Sequence, residues 1–173
     1  SMPFRDVDAF AAASSAPRRV FVSRGANGID GIVATATGVA LTEPTTVLLG
    51  DLALIHDAGG LLNAGQQARA NDAMNLTIVV PDNRGGGIFE RLPIAAHPTA
   101  FERCFLTPQS ADFAGLAQAA GVRYQRLDDA EEWRTTLAAA NARPGVDVLH
   151  VPIDRAQSVA CRSAALAGAP TKN

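Results

Sequence analysis

Two aliphatic runs, each cut off by glycine and an oxygen-bearing side chain, constrain this chain more than anything else in it. Val47-Leu48-Leu49 stops at Gly50-Asp51. Leu76 to Val80 stops at Asp82-Asn83-Arg84 and then Gly85, Gly86 and Gly87. Apolar runs of about four to eight residues bounded by turn residues read as strands buried on both faces. Two such strands lying parallel bring their terminal oxygen groups to one edge of a sheet. That is the edge where open α/β sheets bind ligands.

The ligand such a pair of turns suits is a cation bridged to a diphosphate. Mg²⁺ takes about six oxygens and usually keeps phosphates and water among them. The Asp51 carboxylate, the Asn83 amide oxygen and a backbone carbonyl near Gly85 supply three, and the glycines let backbone approach an anion without a Cβ clash. Taken singly, Gly-Asp after a strand is also an ordinary helix N-cap, and Asp-Asn-Arg-Gly an ordinary turn. Their occurrence after consecutive strands, with three glycines, favours the site.

The rest of the chain repeats the strand-helix alternation. A helix is predicted over 4–13, a strand over Arg19–Ser23 and a helix from about Ile29 to Leu41. A strand over Thr45–Leu49 is followed by a helix from Asp51 to about Leu62 and a polar, Ala/Gln-rich connection to Asn75. Leu76–Val80 is a strand closed by Pro81, because proline cannot continue a ladder. A long glycine-rich loop runs from Asp82 to about Pro98, and loops of that length are usually functional. Phe101–Leu106 has no clear period. Asp112–Ala120 is a helix with Ser110 as N-cap and Gly121 as C-cap. Val122–Leu127 is a strand, Asp128–Asn141 a helix, Val146–Ile153 the last strand and Arg155–Ala167 the last helix. The fold class is therefore α/β, a parallel sheet of about five strands with helices on both faces. Residues 1–173 form one domain. No strand precedes the first helix, so the chain reads as a domain lacking its first strand, cut from a larger multidomain protein. The Ser1-Met2 start is equally consistent with a cloning remnant.

Composition narrows the function classes. A formal net charge of -2 supplies no basic field for nucleic acid, and one Trp and one Tyr make no base-stacking platform. The two cysteines, Cys104 and Cys161, match no metal spacing, and a reducing, cytoplasmic setting is the simplest reading. No apolar run approaches the ~20 residues of a membrane span.

Three segments then carry a resemblance. SRGANGIDG (Ser23–Gly31), GDL (Gly50–Leu52) and DNRGGGIFERLP (Asp82–Pro93) together resemble the 2-succinyl-5-enolpyruvyl-6-hydroxy-3-cyclohexene-1-carboxylate synthases, thiamine-diphosphate enzymes of menaquinone biosynthesis. Nearly the whole chain is covered, but only by that family's carboxy-terminal, diphosphate-binding domain. Asp51 and Asn83 stand where thiamine-diphosphate enzymes carry the GDG-to-NN motif. Leu52 replaces its last glycine, Asp82 its first asparagine, and the spacing is longer than usual.

The resemblance implies thiamine diphosphate with Mg²⁺ or Mn²⁺, held by Asp51, Asn83 and the Gly85 carbonyl. It implies that Gly50, Leu52, Gly86, Gly87 and Ile88 adjoin the cofactor, and that Ile29 props it in its bent conformation. Arg24, Arg5 and Ser1 would face substrate carboxylates, and Ile88, Phe89 and Leu92 would form an apolar wall. Arg24, Arg5, Ile29 and Phe89 are the implied catalytic set. Read without the resemblance, Ile29 is a core residue, Ile88-Phe89 a core plug and the arginines surface groups. The implied reaction decarboxylates 2-oxoglutarate and adds the succinyl-semialdehyde unit to isochorismate. It also implies a homodimer or homotetramer, because the family's activating glutamate lies on an amino-terminal, pyrimidine-binding domain of a neighbouring subunit. This chain alone is expected to be inactive. Two alternatives stay open: an acetolactate-synthase-like carboligase or decarboxylase, and a non-catalytic α/β assembly module. His150 reads as structural, His56 as a weak candidate near the site, and His97 as unassigned.

Overall fold

The computed structural model describes residues 2–11, 19–22 and 28–168. Four strands form one parallel sheet: β1 (Thr45–Leu48), β2 (Asn75–Asp82), β3 (Arg123–Arg126) and β4 (Gly145–Pro152), in the order β1-β2-β4-β3. Composition explains the order. The central strands, LTIVV in β2 and VDVLH in β4, are buried, whereas the edge strands TTVL and RYQR keep residues in solvent.

Helices cover the two faces unequally. Helices α2 (Ile32–Ala40), α4 (Ala58–Ala70) and α6 (Phe113–Ala120) pack through Val33, Leu61, Ala64 and Ala117 onto Leu76, Ile78, Val80, Val146 and Val148. On the other face Trp133, Leu137 and Ala140 of α7 (Glu132–Asn141) close over Leu127, Leu149 and Val151. Helix α4 reaches α6 at Gly65, where an added Cβ would lie 2.0 Å from the Ala120 carbonyl, so only glycine fits. Outside this body, α1 (Met2–Phe10) and α8 (Arg155–Ala167) are joined by the Arg162–Asp6 ion pair.

The α/β parallel architecture is as expected, with corrections in detail. The strand expected at Arg19–Ser23 does not form in its described part. Arg19 to Val22 carry the right β-branched composition, but a strand needs a ladder partner and these residues pair with none. Val20 stands 77% exposed, and Arg19 instead bonds Glu43 at 2.7 Å. Helix α2 begins at Ile32 rather than Ile29, because Gly31 sits at φ 70 and breaks the helical path. The connection expected before Asn75 is helical as far as Ala70, its alanines and glutamines being good helix formers. Asp112, not Ser110, caps α6 by accepting from the Gly115 amide at 2.9 Å.

Pro81 does not close β2. The Val79 carbonyl accepts from the Leu49 amide on the β1 side, and the Asp82 carbonyl from the Ile153 amide on the β4 side. Alternation therefore points the Pro81 nitrogen toward β1, which has already ended. The missing N–H costs no ladder bond there. Residues 101–106, undecided from sequence, continue the short helix α5 (Pro98–Phe101) into a π-helical turn, Glu102–Leu106.

Candidate functional site

The parallel register decides where the two oxygen-bearing turns meet. Leu48 of β1 pairs with Val79 of β2, so Asp51 and Asp82, each three residues further on, emerge side by side at the carboxy-terminal edge. Asp51 opens the short helix α3 (Asp51–His56), with Gly50 extended as its N-cap. The side chain turns inward: Asp51 is 3% exposed, and its Oδ2 has no hydrogen-bond partner. Burial is the main reason its carboxyl is pushed up to about 6; the neighbouring Asp82 adds to the rise, while the Leu52 and Gly85 amides oppose it. A buried carboxylate oxygen without a partner is an uncompensated cost unless something else binds it.

The facing turn is held tightly. The Asp82 Oδ1 accepts from the Arg84 amide at 2.8 Å, and Arg84 itself sits at φ 60. Gly85 follows at φ +146, a conformation for glycine alone. The glycines serve a purpose the sequence did not suggest. A Cβ on Gly85 would lie 2.4 Å from the Leu106 carbonyl, and one on Gly86 would lie 2.5 Å from the Phe105 carbonyl. The Gly86 amide donates to the Leu106 carbonyl at 2.6 Å. The chain's own π-helical turn, a device frequent at functional sites, thus occupies the room their missing side chains leave. The Asn83 amide packs against Gly87, where a Cβ would lie 2.3 Å from its Nδ2.

Among the described residues no three His, Cys, Asp or Glu side chains gather as a metal cluster. The donors that fit are instead hard oxygens of mixed type: the orphaned Asp51 carboxylate, the Asn83 amide and the Gly85 carbonyl. That set suits Mg²⁺ with phosphate oxygens.

The other expected residues fall in different places. Ile29 is half-buried against the main core, as its bland reading required. Ile88 and Phe89 are half-buried in a turn of 3₁₀ helix, Phe89 edge-on to Phe105 at 5.7 Å, and Leu92 is 50% exposed. Arg5 is exposed on α1. Ser1 and Arg24 lie outside the described residues. His56 and His97 are exposed. Two further groups escaped the sequence reading. Asp57, at the break between α3 and α4, is 7% exposed, and its Oδ2 accepts from the Val33 and Ala34 amides at 2.5 and 3.1 Å. It caps α2 from a distance and ties the first turn of that helix to the junction of α3 and α4. Its signal in the sequence is Gly60, since a Cβ there would strike its carboxylate at 2.6 Å. Arg155, at the start of α8, reaches Glu102 at 3.5 Å and Glu90 at 3.8 Å, bracing the segment beyond the glycines.

Residues 7–151 match the family described as thiamine pyrophosphate enzyme, C-terminal TPP binding domain. The chain belongs to this family. As a TPP-binding domain it has curated relatives across almost its full length. It is 43% identical over 170 residues to the 2-succinyl-5-enolpyruvyl-6-hydroxy-3-cyclohexene-1-carboxylate synthase of Synechococcus elongatus, covering 96% of this chain and 28% of that protein. It is 46% identical over 166 residues to the synthase of the same name from Sorangium cellulosum, covering 92% and 27%. The domain thus spans little more than a quarter of the length of these relatives. Its fold resembles that of the benzoylformate decarboxylase of Polynucleobacter necessarius, with a TM-score of 0.60 and 22% identity over 71% of this chain and 23% of that one. Among the described residues no helix is long and apolar enough to cross a membrane.

Proposed function

We propose that this TPP-binding domain supplies the diphosphate- and cation-binding half of a synthase that decarboxylates 2-oxoglutarate and adds the succinyl-semialdehyde unit to isochorismate. The observation that carries the reading is the partnerless, buried Asp51 oxygen facing the Asp82–Gly87 turn. Identity of 43–46% to synthases of that name, along nearly the whole chain, supports the choice of substrates.

Each residue has a definable task. Asp51, Asn83 and the Gly85 carbonyl hold Mg²⁺ or Mn²⁺, and that ion neutralises a diphosphate. Backbone at Gly50, Leu52, Gly86 and Gly87 lies against the cofactor, and Ile29, fixed by the core, supplies an apolar prop. Ile88, Phe89 and Leu92 form the wall that keeps water from the reacting carbon. Arg5, Arg24 and Ser1 bind the carboxylates of the two substrates; guanidinium forks do so bidentately. Thiamine diphosphate, when bound, supplies the carbanion chemistry, and the protein supplies orientation and electrostatics. A homodimer or homotetramer completes the site through the pyrimidine-binding domain of a neighbouring subunit. The exposed thiols of Cys104 and Cys161 suit a reducing, cytoplasmic setting.

The test uses the full-length protein with Mg²⁺ and thiamine diphosphate, offering 2-oxoglutarate with isochorismate against pyruvate. Product from the first pair is expected. Preference for pyruvate identifies an acetolactate-synthase-like enzyme, and loss of Mg²⁺-thiamine-diphosphate binding in Asp51→Ala excludes a non-catalytic assembly module.

A further inference from the structure

We propose that Tyr124, His150 and Asp82 form a positioning chain, one that crosses three strands and holds the Asn83–Gly85 turn in its cation-binding shape. The inference rests on the reading of Asp51, Asn83 and Gly85 as the cation site.

His150 is one of two buried polar side chains on β4, with Asp147, and its ring is 6% exposed. Buried polar groups persist where both ends are satisfied. Here both nitrogens are engaged. Nε2 lies 2.9 Å from Asp82 Oδ2 on β2, and Nδ1 lies 2.8 Å from the Tyr124 hydroxyl on β3. The Phe113 ring stands edge-on to the imidazole at 5.1 Å and fixes its plane.

The partners set the proton positions. An ionised Asp82 can only accept, so Nε2–H donates to it and Nδ1 is left to accept the Tyr124 O–H. Without that hydroxyl Nδ1 is left without its partner, and the ring loses one of the two bonds that hold its Nε2–H on the carboxylate. Asp82 thus selects the tautomer, and the Tyr124 hydroxyl, by donating to Nδ1, supports it and anchors the far side of the ring.

Asp82 passes the constraint to the turn. One carboxylate oxygen is held by His150 inside the sheet; the other accepts from the Arg84 amide. Its carbonyl is held by the Ile153 amide at 2.7 Å. That three-point grip keeps Arg84 at φ 60 and so fixes the direction of the Asn83 side chain and the Gly85 carbonyl on either side of it. The Asp82 charge also lies beside Asp51, where it favours a divalent cation without binding it. Partners that orient cation ligands from behind typically contribute about 10- to 100-fold in affinity.

The experiment measures Mn²⁺ affinity in the full-length protein with thiamine diphosphate, from the electron paramagnetic resonance signal of the free ion, alongside the melting temperature. Tyr124→Phe keeps the packing and removes only the hydroxyl; Mn²⁺ affinity is expected to fall about 10-fold with little change in melting temperature. His150→Leu is expected to lose up to about 100-fold. His150→Gln, whose amide still donates to Asp82, is expected to recover most of that loss. Parental affinity in Tyr124→Phe overturns the proposal, even if His150→Leu does not fold. So does a His150→Gln loss as large as that of His150→Leu, in step with lost stability. If the unsubstituted protein binds no Mn²⁺ with thiamine diphosphate, the cation-site reading itself is wrong and this inference goes with it.

Discussion

Two buried aspartates at opposite ends of the sheet show how this domain divides stability from function. Asp147, near the amino-terminal end of β4, is 2% exposed and takes a fork from Arg123 at 2.6 and 2.9 Å and a bond from Arg143 at 2.5 Å. Asp51, beyond the carboxy-terminal end of β1, is equally buried, and one of its oxygens meets nothing. Burial works to raise both carboxyls. At Asp147 the two arginines outweigh it and the group is held below its usual value; at Asp51 burial prevails and the group is pushed up to about 6. One end of the sheet is internally neutralised. The other end is left short of a positive charge, which the proposed cation would supply.

Substitution at the two aspartates is expected to act with opposite signs. The gap between about 6 and the usual 3.8, at about 1.4 kcal/mol per pH unit, corresponds to about 3 kcal/mol of strain in the ionised Asp51. Asp51→Asn is therefore expected to stabilise the cation-free protein at pH 7 by up to about that amount, measured by urea unfolding. Destabilisation by this change breaks the comparison. Asp147→Asn is expected to destabilise by about 2 kcal/mol. That is below the cost of breaking a fully buried pair, because both arginines are roughly half exposed and return to water. Arg143→Gln is expected to cost only about 0.5 kcal/mol, with a loss that shrinks in high salt, since Arg123 still forks the carboxylate.

The pH slopes separate the two ends as well. The unfolded chain releases the Asp51 proton near 3.8 and the folded chain near 6, so between those values the folded state binds more protons. Stability from this group falls as pH rises across that window and is level above it. The Asp147 contribution runs the other way: it is present above about 3.8 and is lost as pH falls through its lower folded value. Asp51→Asn is expected to abolish the first slope and leave the second.

Much of this was legible in the sequence because it rests on local chemistry. The apolar runs at 45–49, 76–80 and 146–153 gave three strands, and the final helix begins at Arg155 as read, with Asp154 capping it. The meeting of Asp51 with the Asp82–Gly87 turn followed from parallel register alone. What escaped depends on distant partners. Pro81 stays in its strand because the neighbouring strand ends early, and Arg19–Val22 form none because they pair with no strand among the described residues. Asp57 caps a helix 24 residues back in the chain, and His150 reads as a core residue until Tyr124 and Asp82 are seen at its two nitrogens. The glycines were read as places where backbone nears an anion; the contact that the fold itself demands, of Gly85 and Gly86 with the Leu106 and Phe105 carbonyls, depends on a segment 20 residues away.

The most direct test of the unpaired Asp51 charge compares the unsubstituted protein with Asp51→Asn at pH 7, in unfolding experiments with and without Mg²⁺-thiamine diphosphate. The expected result is a crossover: the variant is more stable without the ligands and less stable with them, because only the carboxylate gains from the cation. Equal stabilisation of both proteins by the ligands, with no advantage to the variant in their absence, would contradict it.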